Sequence, residues 1–150
     1  MSVDIKIEGT KELQRAFAVA SVEAQRQVGK AVLKTAVSLR TDVIRRVQSG
    51  PASGRTYKLK NPKRTHTASA PGEAPASDQG GLAESIHFNK IGPMTATVDS
   101  TAIYAAALEF GHSYGGGRVI EPRPYFTPAI EAIRDTYIKD LEAALSEAFK

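Results

Sequence analysis

From Leu13 onward, apolar residues recur every three or four positions: Phe17, Ala20, Ala24, Val28, Val32, Ala36, Leu39, Val43 and Val47. That spacing draws one continuous stripe along an α-helix, and Gly50-Pro51 stops it. Unbroken, a helix of about 38 residues at 1.5 Å per residue runs ~57 Å. A compact domain of this size has a radius of gyration of only ~15 Å. The helix must therefore overhang the domain or break, and Gly29 is the expected hinge, because glycine costs about 1 kcal/mol inside a helix. A second set, Val19, Val22, Leu33, Val37 and Ile44, lies off the stripe. Either the helix packs on two sides within its own fold, or its second side meets another copy. Spacing leaves both open.

The elements around this helix are short. "VDIKIEG" alternates Val3, Ile5 and Ile7 with polar residues and predicts a half-buried strand ending at Gly9. Thr10 can cap the long helix, with Glu12 in its first turn. "LAESIHFNKI" and "MTATVDS" flank Gly92-Pro93 and predict a β-hairpin whose Ile86 face is apolar at its start. "IYAAALEF" suits a strand or a helical turn, and Gly115-Gly116-Gly117 ends the segment after it in a flexible turn. "VIEPRPYFTP" reads as extended, since its prolines fix φ and restrict the residues before them. Thr127-Pro128 then supplies an N-cap and a first-turn proline. The closing helix carries Ile130, Ile133, Tyr137, Ile138, Leu141, Ala144, Leu145 and Ala148 on one face. Together these predict an α+β fold, a small antiparallel sheet packed against a long N-terminal helix and a C-terminal helix, with residues 1–150 as one domain.

Residues 50–81 are the exception, a long basic connection rich in Pro, Gly and Ser whose only large apolar side chains are Tyr57 and Leu59. Fixing about thirty backbones costs tens of kcal/mol at roughly 1–2 kcal/mol each. Burying Tyr57 and Leu59 returns about 2–3 kcal/mol apiece. The expectation is a segment mobile in the lone subunit and ordered by a partner. It is also where the charge sits. Between Asp42 and Glu73 there is no acid, yet Arg45, Arg46, Arg55, Lys58, Lys60, Lys63 and Arg64 fall there, seven of the chain's 20 basic residues. The other 13 face all 16 acids, so the remainder carries −3. "GRTYKLKNPKRTH" could touch phosphates through charge and a base through Tyr57, which predicts sequence-independent nucleic-acid binding by residues 55–66, or could meet an acidic protein.

Catalytic patterns are missing. With no cysteine, neither a disulfide nor a thiolate metal site can form. His66, His87 and His112 lack the spacing of a helical metal pair. No serine lies in a G-x-S-x-G elbow. "GGGR" precedes prolines where a phosphate cradle needs a helix N-terminus. Glu109 lacks a partner carboxylate, so it reads as a structural group that ties down the adjacent turn by accepting backbone N–H bonds or pairing with an arginine. The reading is a protein that is not an enzyme and takes no cofactor or metal. No apolar run approaches the ~20 residues of a membrane span, and the N-terminus has no signal-peptide h-region, so no membrane partner is expected.

Three stretches together, "SGPASGRTYK", "HTASAPGEAPASDQGGLAESI" and "YAAALEFGHS…EPRPYFTPAI", resemble the minor tail-component family of long-tailed bacteriophages, the tail-completion or head–tail joining proteins. The signature falls on Gly80, Leu82, Tyr104, Glu109, Phe110, Gly111, Pro124, Phe126, Pro128 and Ala129; Gln79 departs from the turn usual there. The resemblance implies a structural virion subunit of the tail or neck, assembled in the host cytoplasm as a homo-oligomer, often a sixfold ring. Its partners would be neighbouring tail and head-connector proteins, with Arg55, Tyr57, Lys58, Lys60, Lys63 and Arg64 facing a neighbour or the channel DNA. The signature residues would close the sheet, turn the chain after Phe110 and start the last helix.

Overall fold

The computed structural model describes residues 3–8, as backbone, and 22–148. The expectations for Thr10, Glu12, Leu13, Phe17, Val19 and Ala20 lie outside the described residues. In chain order the elements are β1 (Val3–Glu8), α1 (Val22–Gln48), β2 (Thr56–Lys60), β3 (Lys63–Thr67), α2 (Gly81–Glu84), β4 (Ile86–Gly92), β5 (Thr95–Ser100), α3 (Ala105–Phe110), β6 (His112–Tyr114), β7 (Arg118–Ile120) and α4 (Thr127–Ala148). The fold is α+β.

The sheet has three antiparallel strands in the order β1-β5-β4. Its register runs from Val3 opposite Ser100 to Glu8 opposite Thr95, and from Ile86 opposite Ser100, with a bulge between Lys90 and Gly92. Helix α1 packs on β4 and β5, and α4 packs on α1. The stripe residues Ala24, Val28, Val32, Ala36, Leu39, Val43 and Val47 are all buried and share one core with Ile86, Ala96, Val98, Tyr125 and Phe126. Covered by two layers, α1 needs apolar surface on two sides. Leu33 and Ile44 accordingly pack on the core, whereas Val22 and Val37 stay exposed. Polar ties complete the assembly: Arg40 Nε donates to the Ile86 carbonyl at 2.9 Å, and Lys34 pairs with Asp140 across the two helices at 2.8 Å.

Several expectations need correction. Gly29 is no hinge, because α1 runs unbroken through it. A Cβ there would lie 2.4 Å from the Pro93 carbonyl oxygen, so this glycine lets the β4–β5 turn approach the helix. The start of "LAESIHFNKI" is the turn α2, and strand begins only at Ile86. Phe88 is half-exposed, so the apolar face of β4 is Ile86 alone. On α4, Ile138 points away from the core that its seven neighbours join.

Residues 50–81 hold the largest difference: a two-stranded β2–β3 hairpin occupies what the composition predicts to be structureless. Asn61-Pro62, a cis peptide, makes its turn. Thr56 and Thr67 share a 2.8 Å hydroxyl bond, and Gly54 N–H donates to Ala68 at 2.8 Å to close the base. Glu73 accepts bonds from Ser53 Oγ and, at 3.0 Å, from Ala70 N–H. Each such bond is worth about 1 kcal/mol net. None of these bonds depends on buried apolar area.

Candidate functional site

Pairing fixes which hairpin side chains share a face. Tyr57 lies opposite His66 and Leu59 opposite Arg64, while Lys58 faces Thr65 and Lys60 faces Lys63. With side chains alternating along each strand, Lys58, Lys60 and Lys63 project together from one face and Tyr57, His66 and Arg64 from the other. The lysines are exposed, and among the described residues none has a carboxylate within ion-pair distance.

The opposite face turns toward the protein. Arg64 pairs with Asp78, and His66 Nδ1 lies 3.4 Å from the same carboxylate. The Arg64 hydrogen bond outweighs burial and, with the charges of Arg64 and His66, holds the Asp78 carboxyl below its usual range. The Arg55 guanidinium sits 5.4 Å from the centre of the Tyr57 ring, within cation–π range. The basic cluster therefore divides. Asp42 takes both Arg45 and Arg46, Asp78 takes Arg64, and Arg55, Lys58, Lys60 and Lys63 keep no acidic partner among the described residues.

Beneath the hairpin is a cleft of about 440 Å³ between Tyr57 and His66, the 75–82 segment, Tyr104, Leu108 and Arg123. Gly80, with φ +83°, turns the chain into α2, and its carbonyl accepts the Glu84 N–H at 2.9 Å. Leu82 is buried in the core, while Tyr104 is half-exposed on the cleft wall.

Of the remaining signature residues, Phe126 meets Glu109 directly. Its carboxylate, 3% exposed, accepts the N–H of Tyr125 at 2.8 Å, of Phe126 at 2.9 Å and of Thr127 at 2.8 Å, plus the Thr127 hydroxyl at 2.6 Å. The Phe126 and Thr127 N–H groups are unpaired donors at the start of α4, and a carboxylate there also meets the positive end of the helix dipole. The cap of α4 thus comes from α3. Thr127, expected as the cap, is the first helical residue and donates to Glu109. Burial, then the Glu109 charge, pushes the Tyr125 phenol well above its usual range. Gly111 has φ +75°, and a Cβ on it would meet the Ile120 carbonyl oxygen at 2.9 Å and Pro122 at 3.2 Å. Phe126 and Ala129 are fully buried, Pro124 and Pro128 partly, and Phe110 is 67% exposed.

Asp78, Ser69 and Arg123 were missed in the sequence. Fourteen residues separate Arg64 from Asp78, at no helical or strand spacing, and Arg123 reads only as part of a proline-rich arm. Among the described residues, no group of three or more His, Asp or Glu side chains could hold a metal ion, and no helix is long and apolar enough to cross a membrane. Against family models, curated proteins and solved structures, the chain has no match.

Proposed function

We propose that this chain is a structural subunit of the head–tail junction of a long-tailed bacteriophage, acting in tail completion by binding and without turnover. One observation carries the reading: the two signature stretches, Tyr104–Gly111 and Pro124–Ala129, form a single unit through the Glu109 hydrogen bonds. That unit spends the signature's only carboxylate on structure, as expected of a family without catalytic residues. Large apolar side chains left on the surface support assembly, with Ile103 83%, Phe110 67% and Val119 59% exposed. In this reading the subunits form a ring, hexameric by analogy, and the hairpin reaches a neighbouring tail or connector protein. Deleting the gene from its phage and imaging the particles by electron microscopy tests it. Full heads accumulating beside unattached tails support the joining role; normal, infectious particles overturn it.

A second reading rests on the outward lysine face: sequence-independent contact with nucleic acid, inside the tail channel or elsewhere. Three uncompensated lysines on one face suit phosphates. Tyr57, however, lies on the opposite face under Arg55, so stacking and phosphate contact would not come from one surface.

A further inference from the structure

We propose that the cleft under the β2–β3 hairpin binds an extended peptide segment of a partner protein that presents a carboxylate beside an apolar side chain. The floor is apolar, with Val47, Pro75, Leu82, Leu108 and Ile120, and its volume of about 440 Å³ lies in the range of ligand sites. Two polar groups on its wall are left wanting. Ser69 is 1% exposed, and its Oγ has no hydrogen-bond partner. Arg123 donates from Nε to the Ser69 carbonyl and from Nη1 to the Glu121 carbonyl, both at 3.2 Å. Among the described residues no carboxylate pairs with it. Buried hydroxyls are ordinarily satisfied, and a guanidinium offers five donors in a fork that matches a carboxylate.

The bond between Arg123 Nε and the Ser69 carbonyl brings the guanidinium to residue 69, so that both groups belong to one wall of the cleft, next to an apolar floor. A single carboxylate can accept from both while its neighbouring side chain covers Leu108 and Ile120. Charge selects the ligand class. Asp78 on the cleft wall is neutralised by Arg64, and Arg123, the one Lys or Arg lining the cleft, has no carboxylate partner among the described residues, while Lys58, Lys60 and Lys63 project from the other face of the hairpin. One positive charge over an apolar floor fits a carboxylate-bearing peptide better than a phosphate chain. The proposal stands apart from the assembly reading, since peptide binding can be measured on the isolated chain.

The test is a titration of the ¹⁵N-labelled full chain followed by amide chemical shifts. The probes are acetyl-Ala-Leu, with a terminal carboxylate, and acetyl-Leu-Glu-amide, with a side-chain carboxylate. Acetyl-Ala-Leu-amide is the neutral control, and adenosine 5′-monophosphate is the phosphate competitor. At least one carboxylate peptide should shift Ser69, Gly80, Gly81, Tyr104 and Arg123, and the more strongly bound one identifies the source of the carboxylate. The neutral amide should bind about tenfold more weakly, the value of one charge-assisted hydrogen bond. Ser69→Ala, which removes only a hydroxyl without a partner, should leave the spectrum folded and weaken peptide binding severalfold. Arg123→Lys should weaken it further. No shifts at millimolar peptide, shifts elsewhere, equal binding of the neutral amide, unchanged binding by Ser69→Ala, or tighter binding of the mononucleotide would each overturn the proposal.

Discussion

The carboxylate of Glu109 accepts a 2.9 Å hydrogen bond from the backbone N–H of Phe126, whose own carbonyl accepts the first intrahelical bond of α4, from Ile130. One side chain thereby fixes where the last helix begins. It also holds Tyr125 and Phe126, with ring centres 5.1 Å apart, in the core. Each buried aromatic ring contributes about 1.5–3 kcal/mol, so misplacing the helix start would loosen more than a cap.

Glu109→Gln tests this dependence. The amide retains one acceptor oxygen but turns an NH₂ toward N–H groups that need an acceptor, leaving buried donors unmet at about 1–3 kcal/mol each. We expect a loss of about 3 kcal/mol in urea unfolding, with hydrogen exchange fastest in the first turn of α4. A stability change within experimental error would show that solvent or local rearrangement caps the helix instead.

Gly29→Ala separates two explanations by sign. If glycine served flexibility alone, alanine would stabilise the helix by about 1 kcal/mol. A Cβ placed 2.4 Å from the Pro93 carbonyl oxygen must instead displace the β4–β5 turn, and overpacking of that kind costs about 1–3 kcal/mol. A destabilised variant in thermal melts is the expected result; a rise in Tm would contradict the close approach.

The glycine also shows what the sequence could and could not reveal. The stripe from Ala24 to Val47 was legible because helical burial has a period, and that period survives any tertiary arrangement. The same holds for α4, whereas the β4–β5 hairpin was legible from the Gly92-Pro93 turn between its strands. Gly29 was misread because a close approach depends on Pro93, which is remote in sequence. The β2–β3 hairpin escaped notice because backbone hydrogen bonds leave no mark in composition, and its pattern, "TYKLK" against "KRTHT", has little apolar alternation. Glu109 was legible as a structural carboxylate but not as the cap of α4, since its donors begin sixteen residues away. The cleft had no sequence signal, because Ser69, Asp78 and Arg123 meet only once the loop is folded.

Acid should loosen the hairpin before the core. The folded chain holds the Asp78 carboxyl below its ordinary value, chiefly through the Arg64 hydrogen bond, and that of Glu73 through Ser53 and Ala70. Lowered carboxyl pKa values give stabilisation that is complete above the unfolded range, about pH 4, and is lost as pH falls through the folded values. Hydrogen exchange of the 54–68 amides should therefore accelerate below about pH 4. Asp78→Asn should show part of that loss already at pH 7. Both carboxylates are solvent-accessible, so salt should mute the effect. Identical pH profiles for the two proteins would remove the Arg64–Asp78 pair from hairpin anchoring.

The division of the basic cluster makes a last prediction. If the outward lysines contact duplex DNA, binding measured by fluorescence anisotropy should weaken linearly with log salt. Replacing Lys58, Lys60 and Lys63 by alanine should then flatten that slope by up to about 3, near one unit per phosphate contact. Arg64→Ala should hardly change it, because that guanidinium is already committed to Asp78. A matching effect from Arg64→Ala would mean that the ion pair opens to the DNA. Absence of binding by the unaltered chain, or a slope indifferent to the three lysines, would turn the lysine face toward an acidic protein surface. In that event the same triple variant should fail to complete tails in the phage while remaining folded.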